Sequence, residues 1–238
     1  MSFKTLSHGF ALLIGAVLTP IVMSGCGYVS PQHAAAKAIR DRLPSMIGPA
    51  QSYDVSVAGD ALALARGHAS EVKIHGVGVQ INPTLTLDDV FIDSHNLNFD
   101  RSTHKLTHAD DTTATVSIGA QNLSNYLHAR HPNWSSLQLT FTSQDMQAQL
   151  PLNILDQTAE VSVRGQFVPN PDNPSDLDLH VDSASVASVP VPISLVNYAL
   201  KRVNPIVSLH SLRYPVQLQS AKVANGLLTI QGSIQLTQ

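Results

Sequence analysis

The chain reads as an α+β protein that is mostly antiparallel β-structure, and three observations predict this. Apolar and polar residues alternate through most of the stretch beyond residue 110, the pattern of strands with one hidden and one wetted face. Helical spacing appears in only a few short stretches. An Asn225-Gly226 pair lies between two alternating runs near the C-terminus, as in a tight antiparallel hairpin whose two central residues need positive φ.

The first residues stand apart from the rest. Lys4 supplies a weakly positive start, residues 10–18 are almost unbroken apolar sequence, Pro20 interrupts them, and the small Ser24 and Gly25 precede Cys26. This is the layout of an export signal over residues 1–25, too short for a comfortable membrane span. Met23-Ser24-Gly25-Cys26 resembles the lipobox at which bacterial lipoproteins are cleaved and acylated on the cysteine sulfur, with Met23 where leucine is usual. Lipidation of Cys26 is therefore expected, with residues 26–30 as a lipidated tether and residues 31–238 as a single β-rich domain. The plainer alternative is a leftover thiol beside a cleavage point. The expected location is the cell envelope, as a periplasm-facing or outer-surface lipoprotein. Cys26 is the only cysteine, so the folded body has no intramolecular disulfide and no cysteine-based metal site or nucleophile.

Along the remaining chain, Ser30-Pro31 supplies a cap and a first-turn proline, and Ala35, Ile39, Leu43 and Met46 recur at helical spacing. Pro44 is expected to kink or end that helix, and Gly48-Pro49 to close the region. Residues 61–69 are rich in Ala and Leu and fit either a second helical stretch or a loop on the sheet. From Val72 the period becomes two, placing Val72, Ile74, Gly76, Gly78 and Gln80 on one face, with two glycines that relax the strand. Cleaner strands follow at Ala114, Val116 and Ile118; at Leu137, Leu139 and Phe141; and at Met146, Ala148 and Leu150. Val161 and Val163, and then Leu177, Leu179 and Val181, repeat the pattern. Residues 122–131 carry Leu123, Tyr126 and Leu127 at helical spacing. Ile193, Val196, Leu200 and Val203 form a longer stripe that Asn204-Pro205 is expected to terminate. In the closing hairpin Gly232 is expected to mark a bend or bulge. So few helices leave much of an apolar sheet face to hide, and an incompletely filled interior is expected.

This order resembles the LmeA-type phospholipid-binding family of bacterial envelope proteins over most of residues 31–236. The resemblance is carried by the Ala-rich opening helix, the stretch from Ala69 to Val79, the alternating apolar positions from Leu85 to Leu97, Asn122-Leu123-Ser124-Asn125-Tyr126-Leu127, and the hairpin around Asn225-Gly226. It rests on order and spacing rather than on a chemical signature. It implies a secreted lipid-binding protein whose elongated, strongly curved sheet wraps the N-terminal and C-terminal helices, similar to tubular lipid-binding folds. It supplies no catalytic residues and no cofactor. The lipid anchor at Cys26 is a departure.

Composition limits the function classes. Charged residues are 13% of the chain and the net charge is −3, so no basic surface is offered to nucleic acid. Eleven histidines invite a metal reading. His128 and His131 sit three apart on a short helix, but no third ligand is tied to them by spacing, and histidine near a helix C-terminus is favoured by the dipole. His104, His108, Asp110 and Asp111 form a polar run between strands and read as a solvated turn. Adjacent strand residues point to opposite faces, which separates Asp110 from Asp111 if the strand is regular. No Gly-x-Ser-x-Gly elbow, phosphate-binding glycine loop, HExxH or CxxC occurs, and Gly76-Val77-Gly78 lacks the third glycine of a dinucleotide fingerprint. No catalytic residue, metal site or cofactor is assigned.

Val186, Val189, Val191, Ile193, Leu195, Val196 and Leu200 surround Pro190 and Pro192 with no charged residue between them. Each alone fits core packing. Together they are the candidate apolar wall for an acyl chain, since such a ligand needs extended apolar lining and few polar contacts. The functional expectation is non-enzymatic binding, and possible transfer, of phospholipid or another acyl-chain ligand at a membrane reached through the lipid anchor. The alternative is a structural or interaction module of the envelope with a fully packed core, and an envelope hydrolase ranks third.

Overall fold

The computed structural model describes residues 30–100, 105–143, 145–154, 157–209 and 216–234. The expected signal segment, Cys26, most of the tether, His104 and the last four residues lie outside them. The described chain is mostly antiparallel β-structure with a few helices. Its contacts fall into two compact units: residues 1–81, 89–114 and 233–238, and residues 82–88 and 115–232.

The first unit opens with α1 (Pro31–Arg40), whose first free N–H groups meet the side chain of Ser30: its oxygen accepts from the backbone N–H of His33 at 3.2 Å. The helix stops at Arg40, and α2 (Leu43–Met46) starts anew with Pro44 in its first turn. In a continuous helix residue 44 would donate to the carbonyl of Arg40, and proline has no N–H to give, so the interruption falls one turn ahead of the proline. Beyond Gly48 lies β1 (Ser52–Ala58), to which the sequence reading assigned no element. Residues 61–69 resolve into α3 (Ala61–Ala65), capped by Asp60, followed by the first residues of β2 (His68–Asn82). β1 pairs antiparallel with β2, Val55 opposite Ile74 and Val57 opposite Val72. Ala36, Ile39 and Leu43 bury against Val55, Val72 and Ile74 to make this unit's core.

The strict alternation expected along β2 breaks at Gly78. Val72, Ile74 and Gly76 face inward, but Gly78 takes φ +62 and the next buried residue is Val79, fully buried, rather than Gly78 and Gln80. One left-handed residue shifts the parity of all that follow, a conformation glycine adopts at no steric cost. The same device recurs in β3 (Leu85–Asp100), where Asn96 has φ +49 between buried Ser94 and buried Leu97. β4 (Lys105–His108) pairs with β3 through Asn98 opposite His108.

The second unit contains most of β5 (Thr112–Gly119), then α4 (Ala120–Arg130) and a 3-10 turn over Pro132–Trp134. A six-stranded antiparallel sheet follows. It is built from β6 (Gln138–Phe141), β7 (Met146–Ile154), β8 (Gln157–Pro169), β9 (Asp176–Val186), β10 (Val189–Pro190) and β11 (Val207–Ser208). Its order is β10-β9-β8-β7-β6, with β11 also on β9. Between β10 and β11 runs α5 (Ile193–Leu200), which ends four residues before the Asn204-Pro205 expected to stop it. Asn204 is engaged otherwise: its side-chain oxygen accepts from the N–H of Leu179 at 2.9 Å, and its amide donates to the Leu179 carbonyl at 3.1 Å. It thereby pairs with the β9 edge as a neighbouring strand would. The hairpin of β12 (Val216–Ala224) and β13 (Leu227–Ile234) turns at Asn225 and Gly226, with φ +52 and +78, as expected of a type I′ turn.

Candidate functional site: an apolar cavity in the second unit

The sheet of the second unit curls around a cavity of about 360 Å³. β7 presents Met146, Ala148 and Leu150 to it, and β8 presents Val161, Val163 and Phe167. The register places Ala148 opposite Val163 and Leu150 opposite Val161, so alternate residues of the two strands form one continuous hydrocarbon face. β9 adds Leu179 and Val181, then Ala184 and Val186. The change from odd to even numbers is made by a bulge: Arg164 pairs with Ser183 and Gly165 with Val181, leaving Asp182 as the extra residue. Without it, Ala184 and Val186 would turn to the opposite face of the sheet. Gly165 admits this close approach, because a Cβ there would stand 2.2 Å from the carbonyl oxygen of His180.

Helices close the other side. Leu127 of α4 reaches the cavity, and so does Trp134 of the following turn. α4 begins at Gly119, which has no capping side chain of its own; Asp88 at the end of the 82–88 segment accepts from the Gly119 N–H at 2.5 Å and from the Asn122 amide at 3.0 Å. Its carboxylate thus meets the positive end of the helix dipole. α5 contributes Leu195, Val196 and Leu200, and Val203 and Ile206 follow it on the wall. Every lining side chain is apolar, so the wall presents no titratable group and no nucleophile.

Charge lies outside the wall. Asp145, buried in the β6–β7 connection, accepts from Arg164 Nε at 2.8 Å and from its terminal nitrogen. On β9, burial pushes the Asp178 carboxyl up from its ordinary range, and the nearby Asp176 charge adds to this while the hydrogen bond from Asn170 opposes it.

Of the seven residues read from the sequence as an apolar wall, Val186, Val191, Leu195, Val196 and Leu200 stand on the cavity, with Leu195 also largely exposed at its rim. Val189 and Ile193 do not line it and face solvent. Half of the wall comes from β7, β8 and β9, whose alternation was visible in the sequence but, Val186 apart, was not assigned to a site. Trp134 and Leu127 carried no sequence signal for it.

The histidines have other partners. His128 Nε2 lies 3.0 Å from the carbonyl of Leu137, and the His131 ring stacks on Trp134 at 4.3 Å. His108 Nε2 lies 2.8 Å from Asp110 Oδ1 in the loop before β5, while Asn96 donates to the other oxygen at 2.7 Å. These two hydrogen bonds hold the Asp110 carboxyl below its ordinary range. In the first unit Glu71, Asp93 and His95 bring ligand atoms within 4.8 Å of one another, a cluster not read from the sequence. Lys73 supplies the positive charge there, its ammonium 2.6 Å from Glu71 and 3.9 Å from Asp93.

Antiparallel strands curled over a hydrocarbon-lined cavity define a class of β-rich proteins with an apolar internal site. The profile of the LmeA-like phospholipid-binding family matches residues 31–233, and the chain belongs to that family. Comparison with curated proteins and with solved structures gives no significant match.

Proposed function

We propose that this protein binds a phospholipid-like molecule by taking an acyl chain into the cavity of the second unit, and that it performs no chemistry on it. The observation that carries this reading is a 360 Å³ cavity with a wholly apolar wall in a chain of a phospholipid-binding family. At roughly 30 Å³ per water-sized group, such a volume accepts about a dozen methylenes. At about 0.8 kcal/mol each they amount to roughly 10 kcal/mol of transfer free energy. Association and ordering costs of about 4–15 kcal/mol oppose this, so burial of the chain leaves at most a modest net affinity and no specific polar site is required. The headgroup stays outside, near Leu195.

Export and lipidation at Cys26 hold the protein at an envelope membrane that supplies the ligand, where it sequesters or transfers lipid. An interaction module with a packed core has no use for an apolar cavity, which favours the ligand-binding reading.

The test is mass spectrometry of lipids that co-purify with the protein without added detergent. Stoichiometric phospholipid is expected, and less of it in Ala148→Phe, whose added ring takes up part of the cavity. Lipid-free protein that also fails to take up a fluorescent acyl probe overturns the proposal.

A further inference from the structure

We propose that residues 189–202, the β10–α5 segment, dock the mouth of the cavity on an anionic lipid bilayer. The purpose of this contact rests on the lipid-binding reading above, but the surface itself stands on separate observations. Among the described residues seven large apolar side chains are exposed, and four of them fall in this segment: Val189 at 66%, Ile193 at 41%, Leu195 at 61% and Tyr198 at 65%. α5 turns Val196 and Leu200 into the cavity, sets Leu195 at its rim and leaves Ile193 and Tyr198 outside. Because Leu195 belongs both to the wall and to the exposed set, the ridge is continuous with the rim of the cavity. A clustered apolar surface of this kind marks an interaction site, unlike single exposed residues scattered over a protein.

Charge selects the occupant. Lys201 and Arg202 follow α5 directly and are exposed, and the Arg202 guanidinium lies 5.8 Å over the Tyr198 ring. The last acidic residue of the chain is Asp182. Residues 183–238 therefore carry Lys201, Arg202, Arg213 and Lys222 with no acid, a formal charge of +4, which leaves −7 for residues 1–182 (−3 − 4 = −7). An apolar ridge with a tyrosine, bordered by basic side chains in an acid-free stretch, is complementary to hydrocarbon beneath anionic headgroups. A tyrosine is suited to that boundary, with its ring on the apolar side and its hydroxyl in water.

The experiment uses the full chain and a reporter inside the segment, so attachment elsewhere does not mimic docking. Trp134 is the only tryptophan, so a Trp134→Phe/Tyr198→Trp variant reports from α5 alone. With vesicles of phosphatidylcholine containing phosphatidylglycerol, the emission of this reporter is expected to shift to the blue and to be quenched by brominated acyl chains. Lys201→Glu/Arg202→Glu in the same background is expected to weaken the effect by on the order of tenfold or more. High salt acts in the same direction. Ile193→Asp is expected to abolish the quenching. Tyr198→Trp, Lys201→Glu, Arg202→Glu and Ile193→Asp lie off the cavity wall, so each is expected to take up a fluorescent acyl probe, measured without vesicles, as well as the Trp134→Phe protein that carries it. Vesicle attachment with an unmoved reporter, or equal response from the charge-reversed variant, overturns the docking surface. Quenching of the reporter together with no acyl uptake by the wild-type chain leaves the docking surface standing and overturns the cavity reading instead.

Discussion

Asp178 illustrates how one side chain sets a pH dependence. One of its carboxylate oxygens accepts from Asn170 at 2.9 Å, and the other is buried without a hydrogen-bond partner among the described residues. Burial, and secondarily the charge of Asp176, raise its pKa, so folding favours the protonated acid. Its contribution is present below the ordinary carboxyl value and is lost as pH rises through the raised one. Asp178→Asn, which keeps the shape and removes the charge, is expected to raise the melting temperature slightly at neutral pH and to match the wild type in acid, as thermal melts across pH would show. Gly165 makes a steric rather than an electrostatic demand. Gly165→Ala places a methyl against the His180 carbonyl at the β9 bulge and is expected to cost about 1–3 kcal/mol by denaturant unfolding, since backbone on both strands must move.

At the scale of elements, the position of β9 decides whether the cavity exists. One edge is held by β8 and the other by a broken line of β10, the Asn204 side chain and β11. Asn204→Ala leaves the N–H and carbonyl of Leu179 without those partners, for an expected loss of about 1–3 kcal/mol. Hydrogen exchange at Leu179 should quicken before exchange in β7 does. α4 is held differently, by a carboxylate brought from outside its own sequence neighbourhood. Asp88→Ala removes that cap and is expected to destabilise by about 1 kcal/mol and to loosen Leu127 on the wall.

At the scale of the molecule, the core of the first unit and the cavity of the second share no residue. A ligand that binds only the native cavity stabilises by mass action, about 2.7 kcal/mol when its free concentration is a hundredfold above Kd. Adding a soluble short-chain phospholipid is therefore expected to slow hydrogen exchange in β7, β8 and β9 while leaving α1, β1 and β2 unchanged. Ala148→Phe should show a weaker response. Uniform protection of the whole chain would show that the two units unfold together, whereas protection confined to α1, β1 and β2 would place the ligand elsewhere.

Local signals in the sequence determined the strand-rich class, the type I′ turn at Asn225-Gly226, the helix of Leu123 and Leu127, and the alternating faces of β5 to β9, because each depends on residues a few positions apart. The ordered succession of these elements also carried the family resemblance. β1 was legible in principle, from Tyr53, Val55 and Val57, but a short run beside Gly48-Pro49 reads equally well as loop. The parity changes at Gly78 and at the β9 bulge were not legible, since each is set by what the partner strand requires. An incompletely filled interior was expected from the few helices, but where the cavity lies and which strands line it belonged to tertiary structure. Alternation tells which side of a strand is apolar, but whether the space before that side is filled depends on how the sheet curls and where α4 and α5 come to rest. For the same reason Val189 and Ile193, apolar neighbours of wall residues in sequence, face solvent, while Trp134 and Phe167, distant in sequence, line the same space.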